Sequence, residues 1–183
     1  MTREGFGVSL RIFTRAEFMS ERGRRYRAIA KADGALIYGE DLLVSEKMPK
    51  AGLMLALLLN EDVIETLDEA KKWMGENPSA TPMQISRKSQ RLAKRLIDFV
   101  YGVVMANKPQ FTASRKERVE RILEMYPDNK KIMDALVGIS RYGVGEMESF
   151  KNTIEGFRPR AVQNLKKMMD VKEHIEKTSK DSD

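Results

Sequence analysis

Arg87, Lys88, Arg91, Lys94 and Arg95 put five cations into nine positions, inside the stretch QISRKSQRLAKRLIDFVYGVV (84–104). A guanidinium is planar, stays charged, and offers paired N–H groups that match two phosphate oxygens. The chemistry open to such a cluster is anion capture rather than bond making. Each phosphate neutralised releases counterions, so the binding is expected to be salt-dependent. No base-reading pattern accompanies the cations, so we expect sequence-independent contact with a nucleic-acid backbone, RNA or DNA.

A second cluster lies in SERGRRYRAI (20–29), where Arg22, Arg24, Arg25 and Arg27 surround Tyr26. An aromatic among arginines can stack on an unpaired base. The competing reading is that Tyr26 packs inside and the arginines face water. A third group, Arg115, Lys116, Arg118 and Arg121, is interleaved with Glu117, Glu120 and Glu124 and reads as a salt-bridged surface helix.

The machinery of most enzymes is missing. The chain has no Cys and a single His, His174, which removes the usual nucleophile–base pairs and the Cys- or His-rich metal sites. GFG (5–7) and GVG (143–145) lack dinucleotide-loop spacing, and no GxxxxGK[ST] occurs. Asp62, Glu65, Asp68 and Glu69 could gather a divalent metal, but acids early in a helix are ordinarily matched to its dipole. We expect no enzyme, no cofactor and no resident metal.

The formal charge of +6 is unevenly spread over the 183 residues. Residues 77–116 carry eight basic and one acidic side chain, net +7, while residues 40–76 carry four and nine, net −5. Such asymmetry points to a polyanionic partner, or to self-association of basic on acidic surface.

The cluster must be held by a helix. At 100° per residue, the five cations fall within an arc of roughly 120°, with Asp98 among them. Ile85, Leu92, Leu96, Phe99, Val100 and Val103 fill a separate arc and read as core. Thr81, Pro82 and Gln84 form a helix start with a capping box. Before it, KAGLMLALLL reads as a buried helix, and Asn60 as the cap of EDVIETLDEAKKWM, which Gly75 ends. After it, Ser114 and Glu117 suggest a capping box and Pro127 a stop. Asp128 is read as the cap of the next helix. The C-terminal stretch reads as two helices broken before Pro159, the last near 160–177. Met168 and Met169 in it are read as core filling or as an adaptable apolar surface.

Upstream, GVSLRIFT (7–14) alternates like a strand, and Asp33-Gly34 suits a hairpin turn between strands near 25–32 and 35–44. Thr14 and Glu17 also fit a capping box opening a short helix, with Phe18, Tyr26 and Ile29 on one helical face. The expected fold is mainly α. It is a bundle of about six helices (47–178) with a β-rich basic hairpin element (1–46) and a disordered tail (179–183), α+β in the strict sense.

The opening residues do not join a basic stretch to an apolar one, and the longest apolar run, Leu53–Leu59, is far short of a span. We expect a cytoplasmic or nuclear protein that is not secreted. The expected function is non-catalytic nucleic-acid binding, in a packaging, nucleocapsid-like, replication or transcription accessory role, with a homo-oligomer from basic–acidic contacts. The alternative is a structural or adaptor protein that self-assembles or meets an acidic partner. Matrix-type binding to anionic membrane ranks third, because the apolar face of the basic helix is needed for the core.

Overall fold

The computed structural model describes residues 12–20, 23–33, 41–43, 50–112 and 114–180. Two compact units divide the chain, Met1–Glu46 and Lys47–Asp183. The chain is mainly helical, and no strand occurs among the described residues.

In the first unit, α1 (Arg15–Met19) is opened by the Thr14–Glu17 capping box and followed by α2 (Arg24–Asp33). Hydrogen bonds from Thr14, its backbone N–H foremost, hold the Glu17 carboxyl below the ordinary value of 4.5. The expected strand at 25–32 is therefore a helix. RRYRAIAKAD is rich in arginine, alanine and lysine, which are strong helix formers, and they override the Asp33-Gly34 hairpin signal. Residues 1–11, 34–40 and 44, on which most of the other expected strands fall, lie outside the described residues. Gly23 stands at the corner between the helices, where a Cβ would overlap the Phe18 carbonyl oxygen.

The second unit is built on α5 (Pro82–Asn107), a 26-residue helix. Against it pack α3 (Leu53–Asn60), α4 (Val63–Glu76), α6 (Arg115–Met125), α7 (Lys130–Tyr142) and α8 (Met147–Lys180). The start of α5 follows its local chemistry: Thr81 Oγ1 accepts the Gln84 N–H, the Gln84 side chain returns to the Thr81 N–H, and Pro82 opens the first turn. Leu92, Leu96, Ile97 and Phe99 of α5 are buried with Leu67, Ile122, Met133, Phe150 and Ile154. Each large side chain contributes about 1.5–3 kcal/mol.

Gly75, expected to end α4, lies just inside it, and three other helix boundaries depart further from expectation. Asn60 does not cap α4; it is the last residue of α3, buried, with its amide donating to the Ala56 carbonyl at 2.8 Å. Asp128 falls in a single 3-10 turn, Pro127–Asn129, ahead of α7. Pro159 does not break the C-terminal helix, for α8 is continuous across it and runs to Lys180, past the expected start of the tail. An interior proline costs about 3 kcal/mol, since the Glu155 carbonyl loses its donor. Burial of Ile154 and Phe157 before it and of Ala161 and Met168 after it offsets that cost. Among the described residues no helix is long and apolar enough to cross a membrane.

Candidate nucleic-acid interface

The five cations of α5 do not share one environment. Arg87 and Arg91 are exposed, Lys88 and Lys94 half-buried, and Arg95 is buried with 9% exposure. Arg95 donates to Asn60 Oδ1 at 2.7 Å and to the Leu59 carbonyl at 3.0 Å, and it forms an ion pair with Asp62. Its place as part of the outward basic face is thus corrected. On the helical wheel Arg95 lies beside the apolar arc, where the α3–α4 junction closes over it, and the guanidinium ties that junction to α5. The fork of donors suits a site with three acceptors.

Asp98, the acid that interrupts the basic arc, is also taken inward. Arg118 of α6 pairs with it at 2.6 Å, donates from Nε to the Thr112 carbonyl at 2.7 Å, and lies over the Tyr101 ring at 5.4 Å. What remains outward is a stripe of Arg87, Arg91 and Lys94, edged by Lys88. Among the described residues none of these four takes part in an ion pair.

Each edge of the stripe carries an aromatic. On the α4 side, Lys88 Nζ sits 5.6 Å from the centre of the Trp73 ring. On the α7 side, three polar side chains of α5 grip the end of α7. Ser86 Oγ donates to the Tyr142 carbonyl at 2.9 Å, Gln90 Nε2 donates to the Arg141 carbonyl at 3.0 Å, and Ser89 Oγ accepts the Val144 N–H at 2.9 Å. The first two bonds satisfy helix-end carbonyls that would otherwise lack partners. Gly143 makes the approach possible: its φ is +71°, and a Cβ there would overlap Ser86. Arg141 and Tyr142 are left exposed, Tyr142 at 78%.

The other basic groups singled out lie in mixed surroundings. In the first unit Arg22 lies outside the described residues, Arg24 is exposed, and Arg25 and Tyr26 are half-buried. The Tyr26 ring packs on Phe13 with centroids 4.9 Å apart. Arg27 is 6% exposed and donates to the Phe18 and Ser20 carbonyls at 2.5 and 2.7 Å, capping the end of α1. It therefore faces inward and does not belong to a surface cluster with Arg24. In α6, Arg121 bonds to Gln110 and Lys116 approaches Glu120 at 3.9 Å. Arg158 of α8 holds Asp68 at 3.0 and 3.2 Å.

Two of the four acids considered for a metal, Asp62 and Asp68, are thus occupied by arginines. Among the described residues no three His, Cys, Asp or Glu side chains come together as a metal site. A mostly apolar cavity of about 410 Å³ lies among α3, α5, the 3-10 turn and α8, lined by residues such as Leu53, Val103, Met168 and Val171 with Asn107 and Asn164. Its lining holds no carboxylate or histidine. Burial pushes the Tyr101 phenol up from its ordinary value of 10.0; its hydroxyl donates to the Gln110 carbonyl at 2.6 Å.

Trp73, Arg141 and Tyr142 were not singled out by the sequence reasoning. The only local signal for Arg141 and Tyr142 is the Gly143 that stops α7. The main chain of Arg141 and Tyr142 is brought to α5 by side-chain bonds that reach across more than 50 residues, whereas Trp73 meets Lys88 from α4.

No protein-family model, no curated protein and no solved structure matches this chain significantly.

Proposed function

We propose that this chain is a non-catalytic nucleic-acid-binding protein that takes backbone phosphates on the outward stripe of α5, with Arg87, Arg91, Lys94 and Lys88 as the contacts. The observation that carries the reading is the sorting of charge on this helix. The inward arginine is neutralised by Asp62 and the interrupting acid by Arg118, while the remaining cations have no ion pair among the described residues. Like charges spaced three and four apart on a helix repel by a few tenths of a kcal/mol each. An external polyanion relieves that repulsion, and two arginines offer bidentate phosphate contact. The contact is to backbone and carries no sequence preference.

Two competing readings have less support. Head-to-tail pairing of the basic stripe with 61–69 of another copy loses two of its acids, since Asp62 and Asp68 are held by Arg95 and Arg158. Membrane binding through α5 needs its apolar face, where Ile85, Leu92, Leu96 and Phe99 are buried.

The test is fluorescence anisotropy with labelled single- and double-stranded DNA and RNA across a salt series. The variant is Arg87→Glu/Arg91→Glu/Lys94→Glu, with Arg95 left in place. Wild type is expected to bind with a slope of log K on log salt of about −1.5 to −3, as for two or three phosphates. The folded variant should lose most of the affinity and the slope. A wild type that binds none of the four ligands at low salt refutes the proposal.

A further inference from the structure

We infer that the ligand of the α5 stripe is single-stranded, and that Tyr142 is the platform on which one of its bases stacks, with Trp73 a second platform across the stripe. The inference rests on the phosphate reading of α5 and goes beyond it by naming the class of strand.

The argument begins with what holds Tyr142. Its carbonyl accepts from Ser86, and its neighbours Arg141 and Val144 are held by Gln90 and Ser89; in sequence Ser86 precedes Arg87 and Gln90 precedes Arg91. Gly143 lets the backbone come this close. These bonds hold the main chain and leave the side chain unburied. The Tyr142 ring is 78% exposed, and it makes no ring or cation contact among the described residues. Tyr101 of the same unit behaves differently, packed away with its hydroxyl bonded. An exposed tyrosine on a hydrogen-bonded main chain has only two side-chain torsions to give up when a flat partner lands on it.

Geometry then selects the strand. From Arg87 to Lys94 the stripe rises about 10 Å along the helix, room for two or three phosphates of an extended strand. A single strand lying there turns unstacked bases outward to the stripe's edges, where the aromatics stand. A duplex keeps its bases stacked inside and offers those rings nothing but sugar and phosphate. On the opposite edge Lys88 lies against the half-buried Trp73 ring. A lysine held by one weak cation–π contact can swing to a phosphate while a base takes its place on the ring.

The experiment titrates wild type, Tyr142→Ala, Tyr142→Phe and the Arg87→Glu/Arg91→Glu/Lys94→Glu variant. The ligands are a labelled 12-nucleotide thymidine strand, a uridine strand of the same length, and a 12-base-pair DNA duplex, at one low salt. Emission from Trp73, the one tryptophan of the chain, is followed in parallel. Expected are a wild type that prefers the single strands and shows Trp73 quenching with them alone. Tyr142→Ala should bind either single strand about 5- to 150-fold more weakly, the range for losing one stacked base. Its duplex binding should stay within twofold, and Tyr142→Phe should match wild type throughout. The relative loss on the thymidine and uridine strands tells DNA from RNA. Equal losses on strand and duplex, or no loss on either, overturn the stacking inference. If the triple-charge variant still loses both ligands, the phosphate reading survives that result. If wild type binds nothing, or the charge variant binds as wild type does, the parent reading itself falls.

Discussion

Replacing Arg95 by alanine removes the donor group shared by Asn60, Leu59 and Asp62, and the size of the loss follows from how each acceptor is left. Asn60 is 1% exposed, so its Oδ1 is stranded without a partner, and the Leu59 carbonyl beside it loses its side-chain donor. Each buried acceptor left unsatisfied costs about 1–3 kcal/mol. The Asp62 side chain is 43% exposed, so water takes over most of its solvation and it adds little. Lost packing of the arginine stem adds roughly 1 kcal/mol. The total is about 3–5 kcal/mol, the range for breaking a buried pair by removing one partner. Arg87→Ala on the open stripe should stay within about 0.5 kcal/mol. Urea unfolding followed by circular dichroism measures both. A value below about 1 kcal/mol for Arg95→Ala, or a cost for Arg87→Ala that equals it, would refute the assignment of Arg95 to the interior. Charge reversal at position 95 should cost at least as much, so a binding loss there would be confounded with lost stability.

Gly102→Ala should cost about 1–3 kcal/mol, because the new Cβ would overlap the Asn60 amide that completes the Arg95 site; thermal unfolding reads this as a lowered Tm. Arg118→Ala frees Asp98 on the basic arc. Beyond a loss of stability, it should weaken nucleic-acid binding several-fold at low salt, an effect that shrinks at high salt. Arg118→Lys should recover part of both. Stability should fall as pH rises past about 10, because the folded chain holds the Tyr101 proton more tightly than the unfolded chain does, and the fall should level off above the folded value. Tyr101→Phe should remove that component from the alkaline limb, as measured by denaturant titration at stepped pH.

The features that could be read along the chain are those whose partners are a few residues away. Thr81, Pro82 and Gln84 start α5, and Thr14 with Glu17 starts α1, through bonds that span three residues. Ser114 caps α6 in the same way, although the Glu117 carboxylate takes the Thr112 hydroxyl instead of closing a box. The apolar arc of α5 was legible because a 3.6-residue period needs no knowledge of what covers it. Asn60 looked like a cap because its type favours one, yet its oxygen serves a guanidinium 35 residues on. Pro159 looked like a break, and burial along α8 outweighs it.

Amino-acid order alone therefore dictates a mainly helical chain with a cationic central helix, since local propensity, capping and periodicity act within a turn or two. Which cations face water is another matter. Arg87 and Arg95 are two turns apart and alike in type, and only the packing of α3 and α4 against α5 sends one outward and the other to three acceptors inside. The same holds for Tyr142, set beside the stripe by Ser86 and Gln90 across half a hundred residues of chain. Long-range side-chain bonds and burial sort identical residues into structural and surface roles, and no local pattern encodes that sorting.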